Sequence, residues 1–232
     1  MNPEEQGRSR RLWREWRGFA AFLVVMLVFR SAVADWNQVP SGSMLPSILV
    51  GDRIVVDKLA YDLRLPFTLR RIVRWQEPQR GDVVTFLSPE DDRLLVKRIV
   101  GVPGDEVALR DNRLVINGIQ ASYEAVTLAQ DSAASFIPTG YGLYREQILG
   151  SSHLVMLRTD GGSGFTGNLS AIRVPEGQYL VLGDNRDNSR DSRVIGFVAR
   201  DRILGRARTI AFSLDYDNYY APRPERFLAD LT

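Results

Sequence analysis

Two serines, Ser41 and Ser43, lie two residues apart in the segment Pro40-Ser41-Gly42-Ser43-Met44-Leu45-Pro46-Ser47, with a prolyl restraint on each side. An unactivated hydroxyl is a poor nucleophile, so an enzyme using one needs a base within hydrogen-bond reach. The chain has one histidine, His153, and of its 30 basic residues only Lys58 and Lys97 are lysines. Lys97 sits inside the apolar run Leu94-Leu95-Val96-Lys97-Arg98-Ile99-Val100. In a chain that otherwise uses arginine, a lysine there offers what arginine lacks, the ability to lose its proton. Burial would lower its pKa from about 10.4 by as much as ~3–5 units, leaving a neutral amine able to take a hydroxyl proton. Successive strand residues face opposite ways, so if one of Lys97 and Arg98 is exposed the other is buried.

Each of these residues also has a plainer reading. Ser41 to Ser43 could be a turn joining two regions, and Lys97 could be a strand lysine facing solvent. Under the chemical reading, Ser41 and the Ser43 backbone N–H could both donate to a developing oxyanion. Lys58, beside Asp57, reads as a surface residue. The segment Gly183-Asp184-Asn185-Arg186-Asp187-Asn188-Ser189-Arg190-Asp191-Ser192-Arg193 is rich in carboxylates but lacks the glycine and terminal glutamate of a calcium loop. Its three arginines suit a network of ion pairs that leaves Ser189 free to contact a base. Gly162 to Gly167 matches a dinucleotide-loop pattern, but no helical pattern follows, so it reads as a flexible loop. His153 reads as structural or merely exposed.

These residues need elements to position them. From Ile54 onward the chain shows short runs rich in Val, Ile and Leu, cut by Gly, Pro and Asp, and no stripe of helical period. Strands are expected at Arg53–Val56, Asp82–Phe86, Leu94–Val102, Leu154–Leu157 and Gln178–Leu182. A hairpin is expected over Val107–Ile116, turning at Asp111-Asn112. The expected fold class is all-β, a mostly antiparallel core with an insertion, plus one N-terminal transmembrane helix. The expected divisions are a cytoplasmic segment (1–17), an anchor (18–34), a core (35–106 and 176–214), an insertion (107–175) and an irregular C-terminal extension (215–232).

The N-terminal segment carries arginines from Arg8 to Arg17, then runs without a charge from Gly18 to Phe29. Gly18 to Ala34 spans roughly 25 Å as a helix, just enough for a bilayer core. Arg30 can snorkel to the interface, and the arginine cluster places residues before Gly18 in the cytoplasm. A charged region, an apolar run and Ala32-Val33-Ala34 before Asp35 also describe a cleavable leader. The nearness of Ser43 favours the anchor, and both readings export the remainder. The net charge of +2 gives no indication of nucleic acid, and the absence of cysteine excludes disulfides and thiolate chemistry. With one histidine and no cysteine, no metal site or cofactor is expected.

In order, Pro40 to Asp52, Arg80-Gly81-Asp82-Val83-Val84, Val96 to Asp105, and Gly183 to Arg193 with Gly196-Phe197-Val198 resemble the bacterial type I signal peptidases. These are membrane-anchored Ser/Lys endopeptidases. The resemblance covers most of residues 36–106 and 176–210, and residues 107–175 are not matched one by one. It implies that the β core is catalytic and the insertion a second β-rich domain. It also implies that Ser43 is the nucleophile, Lys97 the general base, Ser41 and Ser43 the oxyanion hole, and Ser189 the residue orienting the lysine amine. Asp184 with Arg98, and Asp191 with Arg193, would be structural ion pairs. Asn37, Val39, Met44, Ile48, Ile54, Thr85, Leu95 and Val96 would line the substrate pockets. Asn37 and Thr85 depart from the apolar residues common at those positions.

The implied reaction is removal of signal peptides from exported preproteins by cleavage after small residues. The implied partners are those signal peptides and membrane lipid, with a monomer as the default state. The implied location is the bacterial inner membrane, single-pass, with the catalytic domain on the periplasmic face. Two rivals remain: a dedicated Ser/Lys protease of a conjugation or pilus system, and an anchored β-domain binding module without catalysis.

Overall fold

The computed structural model describes residues 3–127, 137–159 and 167–231, with side chains described from Trp16. The Arg8 to Arg14 side chains, and nearly all of the Gly162–Gly167 loop, lie outside these. In chain order, α1 (Pro3–Ala32) is followed by β1 (Ala34–Gln38), β2 (Asp52–Asp57), β3 (Asp62–Arg64), β4 (Arg71–Arg74), β5 (Val83–Leu87) and β6 (Leu94–Gly101). Then come β7 (Glu106–Arg110), β8 (Arg113–Ile116), β9 (Ile119–Gln120), β10 (Ser122–Ala125), β11 (Tyr141–Ile148), β12 (Ser151–Arg158) and β13 (Leu169–Arg173). The chain ends with β14 (Gln178–Leu182), α2 (Ser192–Ile195), β15 (Val198–Ala199), β16 (Ile203–Asp215), β17 (Ala221–Pro222) and β18 (Ala229–Asp230).

The main sheet runs β1-β2-β16-β5-β6-β14-β15, with β17 and β18 also paired to β16. The strand pairs in it are antiparallel. Two smaller sheets, β10-β11-β12 and β13-β7-β8-β9, come from residues between β6 and β14. The β7–β8 hairpin turns at Asp111 and Asn112, whose φ of 50° and 60° are the left-handed pair that a two-residue hairpin needs. The small sheets share a core with β14, in which Val107, Leu109, Leu114, Ile116 and Ile148 meet Leu180 and Leu182. A second core joins the segment after β1 to the sheet through Val39, Met44, Ile48, Ile54, Val56 and Ile210. Each fully buried Ile or Leu contributes roughly 1.5–3 kcal/mol.

Several details differ from the sequence reading. Lys97 and Arg98 are both buried, at 3% and 2% exposed, because β6 is an interior strand with a core on each face. Leu95 and Ile99 pack in one cluster and Val96 in another. Lys58 is not a free surface lysine: its ammonium caps the end of α1, 2.9 Å from Arg30 O and 3.3 Å from Asp35 Oδ2. The tail is knitted in, since β17 and β18 pair with β16, Leu231 enters the second core and Arg226 holds Asp52. At the N-terminus the helix stops at Ala32, and Ala34 instead pairs with Asp57 in β2. Among the described residues no helix is long and apolar enough to cross a membrane. The charge-free run of α1 ends at Arg30.

Candidate active site

After β1 the chain makes a short 3-10 turn over Gly42–Met44. Apolar side chains hold the turn down: Met44 and Ile48 are buried, and the Ile48 N–H donates to Met44 O at 2.9 Å. The turn lies against the middle of β6, and Lys97 Nζ is 2.7 Å from Ser43 Oγ. Nζ also lies 2.8 Å from Val96 O. Burial lowers the Lys97 pKa to about 8, with Asp191 and Asp184 opposing that fall and Arg193 adding to it. A neutral amine so placed can donate one N–H to Val96 O while its lone pair takes the Ser43 proton. Ser41 Oγ is 3.4 Å from Ser43 Oγ.

The loop after β14 is the second wall. Gly183 passes so close to the turn that a Cβ there would fall 2.4 Å from Ser43 O and 2.2 Å from Ser189 Oγ. No larger residue fits that approach. The Gly183 N–H donates to Asp191 Oδ2 at 2.9 Å, and Arg193 grips the same carboxylate at 2.8 and 2.7 Å. Arg98 makes a bidentate pair with Asp184 at 2.9 and 2.8 Å, donates to Gly81 O at 2.9 Å and reaches Ser47 Oγ at 3.4 Å. Burial alone would raise the Asp184 carboxyl, but Arg98 overrides it and holds the pKa below the usual range. Ser189 Oγ is buried beside Gly183 without a hydrogen bond, and none joins it to Lys97.

The expected pocket residues divide between two places. Val39, Met44, Ile48, Ile54 and Val96 form one apolar group beside the turn, whereas Leu95 packs in the cluster of Phe86 and Ile99. Asn37 shares the less exposed face of β1 with Asp35, and its Cα pairs with Ile54. Thr85 is buried, with its hydroxyl 3.5 Å from Gly205 O.

Sequence reasoning missed four features near the site. Asn185 donates from its amide Nδ2 to Gly42 O at 3.0 Å and from its backbone N–H to Ser43 O at 3.2 Å. Gly183 and Ser47 complete the walls. The fourth is a fully buried pair, Arg186 with Glu146, at 2.7 and 2.6 Å. Tyr123 donates to the same carboxylate, and His153 Nε2 lies 3.2 Å from it in a geometry too bent for a hydrogen bond. Burial would raise Glu146, but Arg186 outweighs that and holds it well below the usual carboxylate range. Burial, then Arg98, lowers the pKa of His153. The one available signal was the β11–β12 hairpin, whose register sets Glu146 opposite His153.

Residues 13–212 match the family described as signal peptidase, peptidase S26. The signal peptidase I of Pseudomonas fluorescens is 34% identical over 209 residues, covering 85% of this chain and 71% of that protein. The signal peptidase I of Rickettsia typhi is 31% identical over 231 residues, covering 92% of this chain and 85% of that protein. A crystal structure of a signal peptidase I from Enterococcus faecalis aligns at a TM-score of 0.36 and 31% identity, covering 56% of this chain and 97% of that one. The family match extends over the Ser43 turn, β6 and the loop after β14, and the chain belongs to the signal peptidases of the peptidase S26 family, which are serine endopeptidases.

Proposed function

We propose that this protein removes signal peptides from exported preproteins, with Ser43 as nucleophile and Lys97 as general base. The observation that carries the reading is the buried Lys97 amine 2.7 Å from the Ser43 hydroxyl, with its pKa lowered to about 8. Ser43 Oγ attacks the scissile carbonyl carbon as its proton passes to Lys97 Nζ. The oxyanion accepts from the Ser43 N–H and the Ser41 hydroxyl. The lysine ammonium then protonates the leaving amine, and water deprotonated by the same amine hydrolyses the acyl-enzyme. Asp184 with Arg98 and Asp191 with Arg193 hold the walls, and the lysine amine is held by Val96 O rather than by Ser189. Incubating the full-length protein with a generic preprotein and sequencing the new N-terminus tests the activity. Cleavage after a small residue is expected, and an intact preprotein would sink the reading.

The proposal includes an N-terminal anchor, with the core (35–106 and 176–214) and the insertion (107–175) as separate domains outside it. Support comes from α1, where Phe19, Phe22, Val24, Val25 and Leu27 are all more than half exposed. Phe67, 68% exposed, lies at the far end of α1 and donates its N–H to Ser31 Oγ at 2.7 Å. These side chains suit lipid as a partner. Protease added to the outer face should digest residues after Asp35 and spare those before Gly18; the reverse pattern would invert the topology.

Specificity is expected to depart from an apolar norm at the third residue before the cleaved bond. The Thr85 hydroxyl already faces Gly205 O, so Asn37 is the group that makes this pocket polar. An apolar side chain there would leave the Asn37 amide without a partner, at about 1–3 kcal/mol. A substrate library should therefore show serine or threonine tolerated and valine or leucine disfavoured, and Asn37→Leu should reverse that order. A clear preference of the unaltered enzyme for leucine would contradict it.

A further inference from the structure

We propose that Asn185 is a positioning residue for the oxyanion-binding peptide, and that the buried Glu146–Arg186 pair sets its place. The inference rests on the Ser43 reading above and assigns a role that reading leaves open. The peptide linking Gly42 to Ser43 carries the Ser43 N–H, the oxyanion donor of that reading. In a trans peptide the carbonyl and the following N–H point in opposite directions within one plane. The Asn185 Nδ2 donates to Gly42 O at 3.0 Å, beside the Leu45 N–H at 3.2 Å, so the two together fix that plane from behind and aim the Ser43 N–H away from Asn185. The Asn185 backbone N–H holds the next carbonyl, Ser43 O, at 3.2 Å. Two successive peptides of the turn are thus clamped by one residue. A donor on Gly42 O also polarises the amide and strengthens its N–H as an oxyanion donor.

Fold stability alone does not account for this side chain. Asn185 is 2% exposed and its Oδ1 is buried without a partner, an arrangement that native cores avoid unless something else requires it. Its neighbours are tied down on both sides. Asp184 O accepts from Met156 N at 2.9 Å, and Arg186 N donates to Met156 O at 3.2 Å. The Arg186 guanidinium then runs inward to Glu146 on β11, and both residues are at 0% exposure. A buried ion pair adds little net stability but admits few geometries. Here it fixes where the backbone at 185 sits. Residues far from Ser43 in sequence thereby set the angle of the peptide beside it.

The test is steady-state cleavage of a preprotein by the full-length Asn185→Ala and Asn185→Leu variants, with Ser43→Ala in parallel. Loss of aligned oxyanion donation should lower kcat about 10–100-fold while KM stays within about threefold. The midpoint of the kcat–pH profile should not move, because Lys97 is untouched. A merely structural Asn185 would give losses that track the thermal midpoint and vanish on assay well below it. The Leu variant keeps the branched shape without the donor, so it reports on the donor even where the Ala variant is destabilised. A kcat within twofold of the unaltered enzyme in the folded Leu variant overturns the role of Asn185 alone. Activity in Ser43→Ala would overturn the underlying reading and this inference together.

Discussion

Replacing Lys97 by arginine should abolish cleavage, with a loss of at least about a thousandfold in kcat, although charge and reach are conserved. A guanidinium does not deprotonate at working pH, so it can offer Ser43 a hydrogen bond but cannot take its proton. Under the proposed mechanism the active form of the unaltered enzyme is the neutral amine. Its pKa of about 8 means that activity should rise tenfold per pH unit below that value and level off above it. Circular dichroism should show both Lys97→Arg and Ser43→Ala folded. Substantial activity in Lys97→Arg, or an acidic optimum, would refute the general-base role.

The same pKa has a stability consequence. Unfolded, Lys97 titrates at its ordinary value of 10.5; folded, at about 8. Between these values the unfolded chain binds the extra proton, so stability rises with pH across that window. Below pH 8 the native state bears the full cost of confining the charge, of order 3 kcal/mol. Lys97→Met should therefore be inactive yet more stable than the parent at pH 7, with an advantage that shrinks from pH 8 towards 10.5. Denaturant titrations at pH 7 and pH 10 measure this directly. A pH-independent difference would show that Lys97 is not held in a lowered state.

Glu146→Ala should cost about 3–5 kcal/mol, because it leaves the Arg186 guanidinium buried with no opposing carboxylate. For a chain of this length that is a fall of roughly 10 °C in the thermal midpoint. The double variant Glu146→Leu/Arg186→Met, which removes both charges and keeps the volume, should recover most of the loss. A drop below about 1 kcal/mol in the single variant would contradict the assignment. Acid acts on the same cluster with a defined sign. The Glu146 pKa is depressed, so its contribution is present above the unfolded carboxylate pKa and lost as pH falls towards the folded one. The His153 pKa is depressed as well, so below about pH 6.5 the unfolded chain takes up a proton that the native state refuses. Both effects destabilise the fold in acid.

Local patterns were enough for some elements. Val83–Leu87, Leu94–Gly101 and Gln178–Leu182 are mostly apolar because they are interior strands of the main sheet, and the left-handed pair at Asp111-Asn112 marks a hairpin without tertiary help. The 13-residue β16 carries no such mark. Its register shifts between Ala207 and Thr209, and again between Ile210 and Phe212, so the two-residue alternation that signals a strand is broken twice. The tail gave the same difficulty, since its two-residue strands exist only because β16 is there to pair with them.

Residue type and rarity raised Ser43 and Lys97 as candidates, each with a plainer alternative, and the resemblance supplied the roles proposed for them. The order of the motifs placed the chain in its family. What only the tertiary structure decided was which groups meet: the 2.7 Å approach of residues 54 positions apart, the burial of both Lys97 and Arg98, and the pairing of Arg186 with Glu146 across 40 residues. The reason is physical. Hydrophobic periodicity reports which face of an element is covered, but a buried polar group takes whichever partner the packing brings within reach. That choice is made between elements and leaves no trace in either one.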